Sequence, residues 1–210
     1  MENTSEKIAE QLLQIKAIKL QPTNPFTWAS GWHSPIYCDN RKTLSYPDVR
    51  NYIKLQFVDM VNKLYPQADV IAGVATGAIA QGALVADVLK KPFVYIRSSA
   101  KGHGMENLIE GDITPGSKVV VVEDLISTGG SSLKAVEELR KAGCEVLGMV
   151  AIFTYGFKTA EENFSKKAVK LNTLSSYQAL IQVAAATGYV SEEDVKTLSN
   201  WRLNPANWGK

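Results

Sequence analysis

The chain has little cysteine, no long apolar run and almost no excess charge of either sign, and each shortage excludes a class of protein. Its 210 residues include two cysteines, Cys38 and Cys144, which share no CxxC spacing. That argues against a disulfide scaffold and against a zinc site. No segment approaches the roughly 20 apolar residues that a membrane-spanning helix needs. Residues 1–19 carry no uninterrupted apolar stretch of the kind found in a secretory leader, so a cytoplasmic location is expected. Lysine and arginine total 23 against 21 acids, a net charge of +2. A general nucleic-acid binder carries a larger basic excess, so neither nucleic acid nor membrane is an expected partner. The chain has no internal repeat and no low-complexity segment.

What is present suits a folded chain with a full core. Hydrophobic residues make up 45% and charged residues 21%, which excludes a disordered chain, a collagen and a coiled-coil rod. At roughly 150 residues per domain, the length fits a single domain over residues 1–210. Ile8, Leu12, Leu13 and Ile15 keep helical spacing near the start. Residues 20–45 differ: prolines 22, 25 and 35 and tryptophans 28 and 32 sit among small polar residues, and an ordered hood of loops or hairpins is expected there. Pro47 opens a second amphipathic helix that ends at Pro66. From residue 69 strands and helices alternate: strands over 70–74, 92–96, 119–122, 146–153 and 169–174, helices over 79–89, 131–142 and 159–166. The pattern predicts an α/β fold with a mostly parallel sheet, its core over about 46–175, followed by helices within 176–210. The four valines 119–122 mark a strand covered on both faces.

In such sheets ligands bind beyond the carboxyl ends of the strands. The most informative end is Val119-Val-Val-Val-Glu-Asp-Leu-Ile-Ser-Thr-Gly-Gly-Ser131. Glu123 and Asp124 are expected to follow the strand directly and to accept hydrogen bonds from the two hydroxyls of a ribose. Leu125, Ile126, Ser127, Thr128, Gly129, Gly130 and Ser131 turn the chain into a helix, and their backbone N–H groups form an anion cradle suited to a phosphate. The spacing is not that of a P-loop. Thr76-Gly77 offers a second strand-to-helix turn with backbone donors. Arg97, Lys101 and His103 stand in a glycine-containing segment that reads as a cationic lid.

Residues 119–131 resemble the phosphoribosyl-diphosphate signature of the type I phosphoribosyltransferases. Arg97-Ser-Ser-Ala-Lys101-Gly-His103-Gly104, with Asn107 and Glu110-Gly111, is similar to the mobile catalytic loop of the orotate phosphoribosyltransferases, and residues 26–41 are similar to that family's substrate hood. The resemblance implies the type I fold and transfer of ribose 5-phosphate from 5-phosphoribosyl 1-diphosphate to orotate. Mg²⁺ would be carried on the diphosphate, and the protein would be a homodimer whose lid, 97–111, is shared across subunits. It gives Thr76-Gly77 to the leaving diphosphate, Lys101, His103 and Asp124 to catalysis, and Arg97 to the diphosphate as well. It gives orotate to Ser127, Tyr37 and Cys38, with Ser30-Gly31. The chain departs from some members at Ala29 and Tyr155, where they carry cations for the orotate carboxylate, and at Ser98, where they carry a second lysine. Arg41 is the cation that could compensate. A purine-base phosphoribosyltransferase and a non-catalytic regulator that binds the same diphosphate are the rivals. His33 reads as a surface residue and Cys144 as a small core residue.

Overall fold

A computed structural model describes residues 3–28, 31–99 and 108–208. Six strands form the central sheet: β5 (Val70–Val74), β6 (Phe93–Ile96), β7 (Ile109–Glu110), β8 (Lys118–Ile126), β9 (Glu145–Thr154) and β10 (Leu171–Ser176). Their order is β10-β9-β8-β5-β6-β7, parallel throughout except that β7 runs antiparallel to β6. Preceding them are α1 (Thr4–Gln14), two small hairpin pairings and α2 (Pro47–Leu64). The pairings join β1 (Ile18–Leu20) to β4 (Ile36–Cys38) and β2 (Phe26–Thr27) to β3 (His33–Ser34). A 3-10 helix, Asn40–Ser45, leads into α2.

Side-chain alternation along β8 decides where the layers go. Val120 and Val122 pack into the larger apolar cluster with α1, α2 and α6 (Tyr177–Ala186), while Val119 and Val121 pack into the smaller one with α4 (Gly130–Lys141) and α5 (Lys158–Lys166). All four valines are fully buried, as expected for a strand covered on both faces. The sequence reading stopped this strand at residue 122. It runs on to Ile126 because β9 continues to pair with it up to Thr154. The short strand β7 falls at the end of the segment expected as a lid, and pairing with β6 is what makes it a strand.

Behind the hood stands an aromatic cluster built from distant parts of the chain. Trp201, on α7 (Glu192–Leu203), is fully buried, with ring centroids 5.6 Å from Trp28, 5.7 Å from Tyr155, 5.5 Å from Phe157 and 5.4 Å from Tyr177. The helix that delivers it begins with a capping box between Ser191 and Asp194, which satisfies two of the open N–H groups at its start. Its indole Nε1 has no hydrogen-bond partner among the described residues. Trp201→Ala is therefore expected to lower unfolding free energy by about 3–5 kcal/mol, the usual cost of emptying a buried aromatic site. Trp201→Phe should cost far less, since it removes the unpaired N–H along with part of the ring. Urea unfolding curves of the three proteins check both, and an alanine variant within about 1 kcal/mol of wild type would contradict this account of the packing.

Candidate functional site

The site begins where β8 outruns its neighbour. Pairing with β5 ends at Gly73 opposite Val122, and beyond that point side chains meet the peptide groups of Asp124. Its N–H donates to Glu123 Oε1 at 2.9 Å, and its carbonyl accepts from Asn40 Nδ2 at 2.7 Å. The other Glu123 oxygen accepts from the Ser132 hydroxyl at 2.7 Å, in the first turn of α4. Glu123 is thus 4% exposed, while Asp124 is only partly buried. The two acids were expected just after the strand. They lie inside it and differ in burial and in hydrogen-bond partners.

Asp124 faces a cavity of about 380 Å³, lined also by Cys38, Asp39, Arg41, the turn 74–77, Glu123, Leu125 and Ser131. A Cβ at Gly77 would run into the Asp124 carboxylate, so a side chain there would push that carboxylate aside. Arg41 Nε reaches Asp39 Oδ1 at 2.6 Å and keeps most of its side chain in solvent. At the far end α4 starts from Gly129, whose φ of +80° suits glycine, with no side-chain cap on its first turn. A helix start of this kind leaves N–H groups open to an anion.

A second cavity, of about 280 Å³, adjoins the first. It is lined by Thr27, Trp28, Tyr37, Cys38, Leu125, Ser127 and Tyr155. Cys38 and Leu125 line both cavities, so the two share a wall. Aromatic rings form one wall of the second: Trp28 and Tyr155 touch, with ring centroids 5.2 Å apart, and the Trp28 indole is fixed by a 3.0 Å hydrogen bond to the Ile36 carbonyl. Its polar groups are hydroxyls and one thiol, and no lysine, arginine or histidine lines it among the described residues. The shape and chemistry suit a small flat ring beside a hydroxyl-rich anion.

The electrostatics follow from burial. Burial first, and the Asp124 charge next, push the Glu123 carboxyl well above its ordinary range. The Asp39 carboxyl is held low by its hydrogen bond to Arg41. Burial, followed by the Asp124 and Asp39 charges, pushes the Cys38 thiol up. It therefore stays protonated, donates to Asn40 Oδ1 at 3.4 Å and is no nucleophile. The Tyr155 phenol is likewise pushed up by burial.

Most residues singled out in the sequence gather here. Thr76, Gly77, Glu123, Asp124, Leu125 and Ser131 meet at the larger cavity, and Tyr37, Cys38, Ser127 and again Leu125 at the smaller. Ile126 is a core residue, fully buried. Thr128, Gly129 and Gly130 form the turn into α4, where the Thr128 carbonyl accepts from Asn163 Nδ2 at 3.0 Å. Arg97 lines neither cavity and lies 3.4 Å from Glu110 Oε1, at the foot of the expected lid. Arg41 lines the larger cavity and not the aromatic one. Lys101, His103, Gly104 and Asn107 lie outside the described residues, as do Ala29 and Ser30. His33 is exposed and Cys144 buried, as expected. The sequence reading missed Asn40, Ser132 and the support of Trp28 and Tyr155 by Trp201. Ser132 alone had a local signal, one turn into the helix after the acids.

The phosphoribosyl transferase domain family matches residues 58–186. The chain is 64% identical over 208 residues to the orotate phosphoribosyltransferase of Bacteroides thetaiotaomicron, spanning 99% of this chain and 98% of that one. It is 61% identical over 209 residues to the orotate phosphoribosyltransferase of Porphyromonas gingivalis, spanning 100% of both. Among solved structures, it superposes on the orotate phosphoribosyltransferase of Aeropyrum pernix with a TM-score of 0.76 at 28% identity, covering 88% of this chain and 99% of that one.

The buried Glu123 carboxyl makes stability depend on pH. Above about pH 4.5, its ordinary value, the unfolded chain releases this proton while the folded chain keeps it. The unfolded state then binds fewer protons, so the contribution of Glu123 to stability falls as pH rises toward the folded value. Glu123→Gln removes that titration and should gain on wild type between about pH 4 and pH 7. Melting temperatures across that range test it, and a gap that stays constant with pH would show that Glu123 does not titrate high in the fold.

Proposed function

We infer the reaction from kinship and cavity together: the chain belongs to the phosphoribosyl transferase family and, within it, to the orotate phosphoribosyltransferases. It transfers the ribose 5-phosphate group from 5-phosphoribosyl 1-diphosphate to orotate, giving orotidine 5′-phosphate and diphosphate in pyrimidine biosynthesis. One observation carries the site assignment. A polar cavity with a carboxylate and a flat aromatic cavity share the wall made by Cys38 and Leu125, so the sugar carbon and the base nitrogen that must bond lie side by side when both are filled.

In this reading the turn 127–131 takes the 5′-phosphate on backbone N–H groups at the start of α4, and Thr76-Gly77 faces the diphosphate. Asp124 accepts from the ribose hydroxyls. Glu123 lines the same cavity, and each of its oxygens, already accepting one hydrogen bond, keeps a lone pair for a ribose hydroxyl. As the bond to diphosphate breaks, positive charge develops on the ribose, as in other glycosyl transfers. The Asp124 carboxylate lowers the energy of that charge without attacking it. Orotate lies against Trp28 and Tyr155 with its ring edge toward Ser127, Tyr37 and Cys38.

Mg²⁺ belongs to the substrate in this account. The ion enters on the diphosphate and offsets its charge. Lys101 and His103 act from a lid over 97–111 that closes across a homodimer, excluding water and meeting the diphosphate with positive charge.

The direct test follows orotate ultraviolet absorbance on mixing protein, 5-phosphoribosyl 1-diphosphate and Mg²⁺. Orotate should be consumed, whereas adenine, guanine and uracil should not. Chelating Mg²⁺ should stop the reaction, and Lys101→Ala should lower kcat by at least about 100-fold, the scale of losing one charge-stabilising group. Turnover of a purine instead would overturn the base assignment. Binding of the diphosphate with no turnover of any base would mean a regulator.

A further inference from the structure

The two cavities are joined by one buried amide. Asn40 is 1% exposed and opens the 3-10 helix at the end of the hood, 84 residues from Asp124 in sequence. Its Nδ2 donates to the Asp124 carbonyl at 2.7 Å, and its Oδ1 accepts from the thiol of Cys38, which lines both cavities. Its own carbonyl accepts from the Thr43 hydroxyl at 2.6 Å, and Thr43 in turn accepts from Gln81 on α3 (Ile79–Leu89) at 3.4 Å. The amide therefore has no freedom to rotate away. It stands where β5 would have continued the ladder, and it sets the backbone from which the Asp124 carboxylate projects.

We propose that Asn40 is a positioning residue for the transfer: by holding the Asp124 peptide from the hood, it orients the Asp124 carboxylate and makes the base and sugar cavities fill cooperatively. The proposal rests on the reading that Asp124 meets the ribose. A movement of Cys38 and its strand when the base binds is passed through Asn40 to Asp124, so each ligand tightens the other by the same factor. An aspartate at position 40 keeps the size and the acceptor for Cys38 but loses the donor, and it sets an oxygen against the Asp124 carbonyl.

The test is a double-mutant cycle read by calorimetry of 5-phosphoribosyl 1-diphosphate binding with Mg²⁺, in wild type, Asn40→Asp, Asp124→Asn and the double variant. Asn40→Ala is run through the same cycle, so that a folding failure of the charged variant does not end the experiment. Asn40→Asp should weaken binding by about 10- to 100-fold, the worth of a buried hydrogen bond lost beside a charged group. In the Asp124→Asn background the same change should cost less than about threefold, because the group it acts through is gone. With Mg²⁺ withheld so that no turnover occurs, saturating orotate should tighten the diphosphate in wild type and leave its affinity unchanged in the Asn40 variants. Equal losses in both backgrounds would reduce Asn40 to a structural residue and overturn the proposal, as would a folded Asn40→Ala protein with wild-type affinity and wild-type coupling. A wild type that binds no diphosphate would defeat the functional reading itself, and this inference with it.

Discussion

Strand β8 extends past the end of β5, and the peptide groups beyond Val122 must find partners that the sheet no longer supplies. A buried peptide left unpaired costs about 1–3 kcal/mol, so this edge constrains everything around it. The solution is two side chains from opposite directions: Glu123 takes the Asp124 N–H from within the strand, and Asn40 gives to its carbonyl from the hood. The hood is thereby tied to the sheet at the point where the chemistry is placed. Gly77 completes the arrangement by having no side chain where the Asp124 carboxylate lies.

The same constraint divides the acid pair. A carboxylate cannot be buried against a second one without cost, and here burial and the Asp124 charge act together on Glu123. The hydrogen bonds from Ser132 and from the Asp124 peptide hold it in place. Glu123 is the more buried and already engaged of the two, and Asp124 the more open. The two acids border the same cavity and differ in burial and in partners, a difference that arises only once the strand includes them.

That last condition marks the boundary of what sequence reasoning could reach. The four valines, the Thr-Gly-Gly-Ser turn and the alternation of elements were sufficient for the parallel sheet, the cradle and most cavity-lining residues, because each is a local pattern of burial or backbone freedom. The length of β8 was not legible: Glu-Asp resembles a strand end, and only pairing with β9 as far as Thr154 carries the strand through it. Asn40 and Trp201 were not legible for the same reason. Each acts through contacts made far away in the chain, Asn40 on residue 124 and Trp201 on Trp28 and Tyr155, and no spacing rule announces such a contact. Arg41 was misplaced because nearness in sequence to Tyr37 and Cys38 does not say which side of a shared wall a side chain will take.

The aromatic cluster has a consequence for spectroscopy. The chain has four tryptophans, at positions 28, 32, 201 and 208, and none between 33 and 200. Trp28 lines the base cavity, Trp32 stacks on it at 6.4 Å, Trp201 meets it edge-on, and Trp208 is packed against the same core cluster. Three of the four therefore stand together beside the flat cavity. The protein carries its own optical label for the half of the site that distinguishes one base from another.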